Sequence, residues 1–328
     1  VFYGGNAGMN AGKLEKTGIK SFSIDGTPAY NVGTSFSTPW VSRMAAELTH
    51  LVKEEFDPLL IRALLIHNAK YPANNSMSMT DKVTQMGFGA PSSVQEMLYN
   101  SEDEITLILR DTLEKGSFIE MFDFPFPESL VDKDGNFIGQ IIVTLVTKSL
   151  LDDKQAGEYC QSNIDILFGT YETETDRDTS KKGIKNPKGL EEPQNILLES
   201  LYSARVKGAH PFTGFERECT LVKYGKKFHP VKKYAIDLSE MTTSNRQRYL
   251  RGDRKWYLKI EGLYRDFIEQ DARARNYQLS QEYCLLLTIR DPNGKAPVYD
   301  EVAQQLDYKN FLHHNIQLRN VVTIDGTL

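Results

Sequence analysis

The chain has 328 residues, 40% of them hydrophobic and 25% charged, with a formal net charge of −5, a balance that suits an ordinary globular protein with room for two domains. An acidic excess gives no sign of the basic face that nucleic acid or an anionic membrane would need, and no apolar run is long enough to cross a bilayer as a helix. Cys160, Cys219 and Cys284 are widely spaced and odd in number, which argues against a disulfide framework and for a reducing, cytoplasmic setting.

Val1–Gly5 reads as the end of a buried strand running into a glycine turn. The chain is therefore expected to begin inside a domain, as the C-terminal part of a longer protein. Residues 8–30 alternate Ile19, Phe22 and Ile24 with Gly12, Gly18 and Asp25-Gly26, a pattern of strand or hairpin pieces. Next comes Gly33-Thr34-Ser35-Phe36-Ser37-Thr38-Pro39-Trp40-Val41. Its small polar residues and proline predict a helix start, with Ser35 at the N-terminus and Pro39 in the first turn. There, unpaired backbone amides and the positive end of the helix dipole can stabilise an oxyanion beside the Ser35 hydroxyl. Gly33 leaves the approach of a substrate backbone unobstructed.

As a motif, Gly-Thr-Ser-Phe-Ser-Thr-Pro-x-Val resembles the nucleophile signature of the subtilisin-like serine proteases, and residues 36–99 offer the family's helix, Pro-led helix, Gly-x-Gly turn and short helix in order. The alternative is a well-capped helix start with no chemistry. The resemblance implies a serine endopeptidase in which Ser35 is the nucleophile and a backbone oxyanion donor, while Asn31, Gly33 and Thr34 border the substrate. In the family the aspartate, the histidine base and the oxyanion asparagine all precede the serine. None of the 34 residues before Ser35 is a histidine; His50, His67, His210, His229, His313 and His314 all follow it. The missing groups are thus expected in sequence N-terminal to Val1, and the chain alone is expected to be inactive. His50 and His67 are read as partly exposed helix residues.

Val41, Met44, Ala45, Leu48 and Leu51 recur at the spacing of a buried helical stripe. Asp57-Pro58 then caps a second helix with Leu60, Ile61, Leu64 and Leu65 as its apolar face, and Ser92 or Ser93 opens a short helix with Val94, Met97 and Leu98. Gly87-Phe88-Gly89 suggests close backbone packing, not a phosphate loop. The protease-like portion closes near Asn100.

Beyond it, apolar, β-branched and aromatic alternation predicts strands at 105–109, 118–126, 140–147, 163–168, 232–238, 256–264 and 283–290. Val298–Leu306 reads as one helix and Ile316–Ile324 as a last strand. Asp132-Lys133-Asp134-Gly135-Asn136 has the look of a calcium loop without its later glycine and glutamate, and is read as a hairpin turn. Arg251-Gly252-Asp253 is read as a turn between strands. Residues 172–195 carry Glu172, Glu174, Asp176, Asp178, Lys181, Lys182, Lys185 and Lys188 with few apolar groups, a charged mobile loop.

The expected architecture is therefore the C-terminal portion of a parallel-sheet, three-layer α/β subtilisin-like domain over residues 1–100, followed by an all-β, jelly-roll-like sandwich over residues 101–328. Expected partners are a peptide or protein substrate, the preceding part of the protease domain and, by family analogy, an AAA-type ATPase. No cofactor is called for. Calcium sites are frequent in the resembled family, but no ligands are recognisable here. The alternative function is a non-catalytic binding or regulatory module derived from a subtilase.

Overall fold

The structure, a computed structural model of the chain, describes residues 18–31, 33–52, 57–71, 79–172, 193–203, 218–220, 228–308, 316–318 and 320–321. The strand expected at Val1–Gly5 and most of the charged stretch at 172–195 lie outside the described residues. In chain order, β1 (Ile19–Phe22) and β2 (Pro28–Asn31) form an antiparallel hairpin, closed by a turn at Asp25-Gly26 in which Gly26 takes φ 80°. Four helices follow: α1 (Thr34–Val52), α2 (Pro58–His67), α3 (Met79–Met86) and α4 (Val94–Leu98). Then come β3 (Tyr99–Asn100), β4 (Glu104–Glu114), β5 (Phe118–Phe122), β6 (Gln140–Thr147), β7 (Ser162–Tyr171), β8 (Gln194–Asn195), β9 (Glu218–Thr220) and β10 (Val231–Asp237). The remainder is α5 (Thr243–Tyr249), β11 (Lys255–Tyr264), α6 (Asp266–Arg275), β12 (Ser280–Arg290), α7 (Val298–Tyr308), β13 (Ile316–Leu318) and β14 (Asn320–Val321).

The described strands after Asn100, β14 apart, make two sheets, one ordered β13-β4-β12-β6-β10-β9 and the other β5-β11-β7-β8. Neighbouring strands within each are antiparallel. Among the described strands the only parallel pair is β3 with β14, so the parallel three-layer sheet implied by the resemblance is not among them. Because successive strand residues face opposite ways, odd positions of β4, β6 and β12 and even positions of β7 and β11 meet in one core. Ile105, Leu107, Ile141, Val143, Leu285, Leu287, Ile164, Phe168, Leu258 and Ile260 all belong to it. At its centre Trp256 stacks on Phe126, with ring centroids 4.1 Å apart, and packs against Phe137 and Phe168. Each such buried side chain contributes about 1.5–3 kcal/mol.

The opposite face of the six-stranded sheet is covered over its middle, while Thr112 and Glu282 towards one end of it stay exposed. Ile108, Val146, Cys284 and Leu286 share a second core with Leu48 of α1, Leu60, Ile61, Ala63 and Leu64 of α2, and Val94 and Met97 of α4. The helices of the first hundred residues and the sheet of the later region therefore bury each other. Residue β10 alternation carries this to an extreme, since the adjacent Lys232 and Lys233 are 3% and 1% exposed and point into different layers. The Lys232 ammonium donates to the Ile164 carbonyl at 2.8 Å and the Asp165 carboxylate at 2.7 Å on β7. The Lys233 ammonium turns the other way, to α2.

Three helices have no counterpart among the elements expected from the sequence: α3, in the stretch before Gly87, and α5 and α6. In α5 the sequence is polar throughout; α6 has Asp266 and Glu269 in its first turn, Arg273 and Arg275 in its last, and Asn276 beyond them at φ 52° as a left-handed cap. The strand expected at 118–126 stops at Phe122, where Asp123 takes φ 52°. The strand expected at 316–324 is described as β13 and β14, and residues 319 and 322–324 lie outside the description. At 132–136 the chain turns back as read: Asp132 accepts from the amides of Asp134 and Asn136, both at 2.9 Å, and its carboxylate also pairs with Arg246. Arg251 pairs with Asp253 in the turn before β11.

Candidate functional site at the start of the first long helix

Helix α1 begins where the sequence places it. The Gly33 carbonyl accepts from the amides of Phe36 and Ser37 at 3.1 and 3.2 Å, while the Ser37 and Thr38 hydroxyls donate to the Thr34 carbonyl at 3.2 and 2.7 Å. Ser35 is the second helical residue and is exposed. Neither its hydroxyl nor its amide has a hydrogen-bond partner among the described residues. No acidic residue stands in the first turn, so the positive end of the helix is left uncompensated locally. This arrangement can receive an anion or a developing oxyanion beside a free hydroxyl.

Pro39 is not in the first turn. The helix starts at Thr34, which puts Pro39 in the second turn, inside the helix. A proline there lacks the amide that would bond the carbonyl four residues earlier, and that carbonyl belongs to Ser35. The nucleophile candidate is thus relieved of its helical bond on both the donor and the acceptor side. Gly33 is half-buried, and a Cβ there would meet nothing nearer than a Phe36 ring carbon at 3.7 Å, so packing within the chain does not demand glycine. Thr34 is exposed, and Asn31 ends β2 paired with Ile19. Chain continuity brings Asn31, Gly33, Thr34 and Ser35 to one end of α1, with Val32 outside the described residues.

The described histidines do not reach this point. His50 is exposed near the other end of α1, fifteen residues along and so about 22 Å away on the helix axis. His67, expected to be partly exposed, is 3% exposed. Its Nδ1 lies 2.9 Å from Thr144 Oγ1 and its Nε2 2.7 Å from Thr288 Oγ1, which uses both ring nitrogens. His229 stands before β10 with its amide donating to Asn163. His210, His313 and His314 lie outside the described residues. Asp25, the nearest described carboxylate before the serine, is tied up in the hairpin turn, where the Ser23 and Thr27 hydroxyls and the Thr27 amide hold its pKa down to about 2. No triad forms around Ser35 among the described residues.

The stripe expected to bury α1 is only half buried. Leu48 is fully covered and Met44 and Ala45 partly so, but Val41 and Leu51 are 39% and 42% exposed, as are Phe36 and Trp40 at 39% and 53%. Gly89, by contrast, is where backbones meet, since a Cβ there would stand 2.4 Å from the Lys70 carbonyl oxygen. What sequence reasoning missed is the fastening of α2: Arg110, Lys233, Thr144 and Thr288 come from strands far downstream and converge on its two ends. Only the apolar alternation that puts those four positions on one sheet face could have suggested it. Among the described residues no cluster of His, Cys, Asp and Glu could hold a metal ion, and no described helix is long and apolar enough to cross a membrane.

No curated protein matches the chain. The model of the subtilase family does match, over residues 1–91, a span that holds Asn31, Gly33, Thr34 and Ser35 and the helices α1 to α3, and this supports a subtilase-type serine peptidase for that part of the chain.

Proposed function

We propose that the chain is the nucleophile-bearing portion of a subtilisin-like serine endopeptidase, joined to a jelly-roll-like β-sandwich formed by the two antiparallel sheets. The observation that carries this reading is an exposed, unbonded Ser35 at the uncompensated N-terminus of α1, inside the span that matches the subtilase family. In this mechanism a histidine base takes the Ser35 proton as Oγ attacks the peptide carbonyl. The tetrahedral oxyanion is held by the Ser35 amide and an asparagine side chain, the amine leaves with the proton, and water then releases the acyl group from Ser35. Asn31, Gly33 and Thr34 border the substrate. The aspartate, histidine and oxyanion asparagine come from sequence N-terminal to Val1.

A fluorophosphonate probe tests the reading. Applied to the longer polypeptide that includes the preceding aspartate and histidine segments, it should label Ser35 and be blocked by Ser35→Ala. On the 328-residue chain alone, labelling should be negligible, because a serine without its base keeps only the residual rate from binding and oxyanion donors. Failure of the longer polypeptide to label, or a preceding sequence without a histidine and an aspartate, would reduce the chain to a binding or regulatory module.

A further inference from the structure

We propose that Lys233, His67 and Arg110 are positioning residues for the helix pair that carries Ser35, pinning both ends of α2 to the outer face of the six-stranded sheet. Helix α1 makes no hydrogen bond or ion pair to another element among the described residues; its side-chain bonds and its Arg43–Glu47 pair stay within the helix and its leading Gly33. What locates it is apolar packing of Leu48, Met44, Ala45 and Val52 in the core it shares with α2, α4 and the sheet. A greasy contact fixes distance but allows sliding and rotation, so the placement of α1 is only as definite as that of α2.

Helix α2 is fixed by directional bonds. At its start, Asp57 Oδ1 accepts from the Leu59 and Leu60 amides at 2.8 and 3.1 Å, and Oδ2 accepts from Arg110 of β4 at 3.2 Å. At its end the Lys233 ammonium of β10 donates to three carbonyls, those of Ile66, His67 and Ala69, each at 2.9 Å. Three protons meet three acceptors, at the negative end of the helix dipole. The His67 ring then enters the sheet between Thr144 of β6 and Thr288 of β12, and Thr288 is bonded in turn to Thr106 of β4 at 2.6 Å. Lys233, His67, Ala69, Thr106, Thr144 and Thr288 are each 3% exposed or less, and there an unmet partner is expensive and alternative seatings are disfavoured. The sheet is therefore the jig on which the α1–α2 pair is set.

The catalytic consequence rests on Ser35 being the nucleophile, and two readouts separate the claims. Amide exchange measured on the chain should show Lys233→Met raising exchange about tenfold at the end of α2 and also across residues 41–52 of α1. Lys233→Arg, which keeps the charge, should restore part of the protection. In the longer polypeptide, fluorophosphonate labelling of Ser35 should slow about tenfold in Lys233→Met, a change of about 1.4 kcal/mol in the barrier, and recover in part in Lys233→Arg. Faster exchange confined to α2, with α1 exchange and Ser35 labelling at the wild-type rate, would overturn the inference. Should Lys233→Met fail to fold, Arg110→Gln at the half-exposed end of α2 should still raise α1 exchange about threefold, and no change there would equally overturn it. A wild-type polypeptide that never labels, while α1 exchange still answers to Lys233→Met, would refute the proteolytic reading and leave the positioning role standing.

Discussion

In α1, Phe36, Trp40, Val41 and Leu51 are between 39% and 53% exposed, whereas Ile105, Leu285 and Ile289 in the six-stranded sheet have no exposure at all. The residues around the candidate nucleophile thus stand on the less buried side of the molecule, and the residues that specify architecture stand on the other. The two are not independent, because the middle of the sheet's outer face packs against α1, α2 and α4. Burial in the later region supplies a rigid floor, and the earlier region lays an open helix end on it. A site that must meet a substrate has to leave part of its surface unmatched, and a floor does not.

The contrast breaks first at Ser35. In the longer polypeptide Ser35→Ala should lower peptide hydrolysis by about a millionfold, as loss of a nucleophile does in this chemistry, without moving the denaturation midpoint. Surviving turnover would mean the open helix end is not the site. Next in size is the pair of tryptophans. Trp256→Ala, in the stacked cluster with Phe126 and Phe168, should destabilise by about 3–5 kcal/mol in urea titration, while Trp40→Ala should stay within about 1 kcal/mol. Equal losses would show that α1 is buried in solution. Within α1 the same test is sharper still: Leu48→Ala should remove about 2–5 kcal/mol and Leu51→Ala less than about 0.5 kcal/mol.

The smallest effect is a matter of pH. Asp291 is buried, which opposes ionisation, yet the amides of Asn293, Lys295 and Ala296, at 2.8–2.9 Å, outweigh that and lower its pKa. A carboxylate with a lowered folded pKa contributes stability that is complete above its unfolded value, about 3.9, and is lost as pH falls through the folded value. The stability gap between wild type and Asp291→Asn should therefore be constant near neutrality and shrink below about pH 4. A gap that persists to the acid end would assign the loss to geometry alone.

Local signals carried much of this. Alternation at Gln140–Thr147 and 283–290, the Asp57-Pro58 cap and the Asp25-Gly26 turn each state their structure within a few residues, and the structure has a strand, a helix start and a hairpin there. The serine motif is legible for the same reason, since a helix N-terminus is a local construction. His67 was not, because what buries it are threonines 77 and 221 positions away. Nothing local marks Lys232 and Lys233 as buried, because their partners lie at residues 164–165 and 66–69, far off in the chain. α6 was not legible, because its single buried residue, Ala272, leaves no apolar stripe, and end charges with Asn276 alone do not set a helix apart from a polar loop.

Those paired lysines have one more implication. An acylating reagent reaches an amine only when it is free and unprotonated, and here both amines are enclosed, each already donating to oxygens. In the intact molecule they should be silent toward such a reagent while the surface amines react, so their joint appearance in a footprint would register the moment when helix, six-stranded sheet and four-stranded sheet come apart.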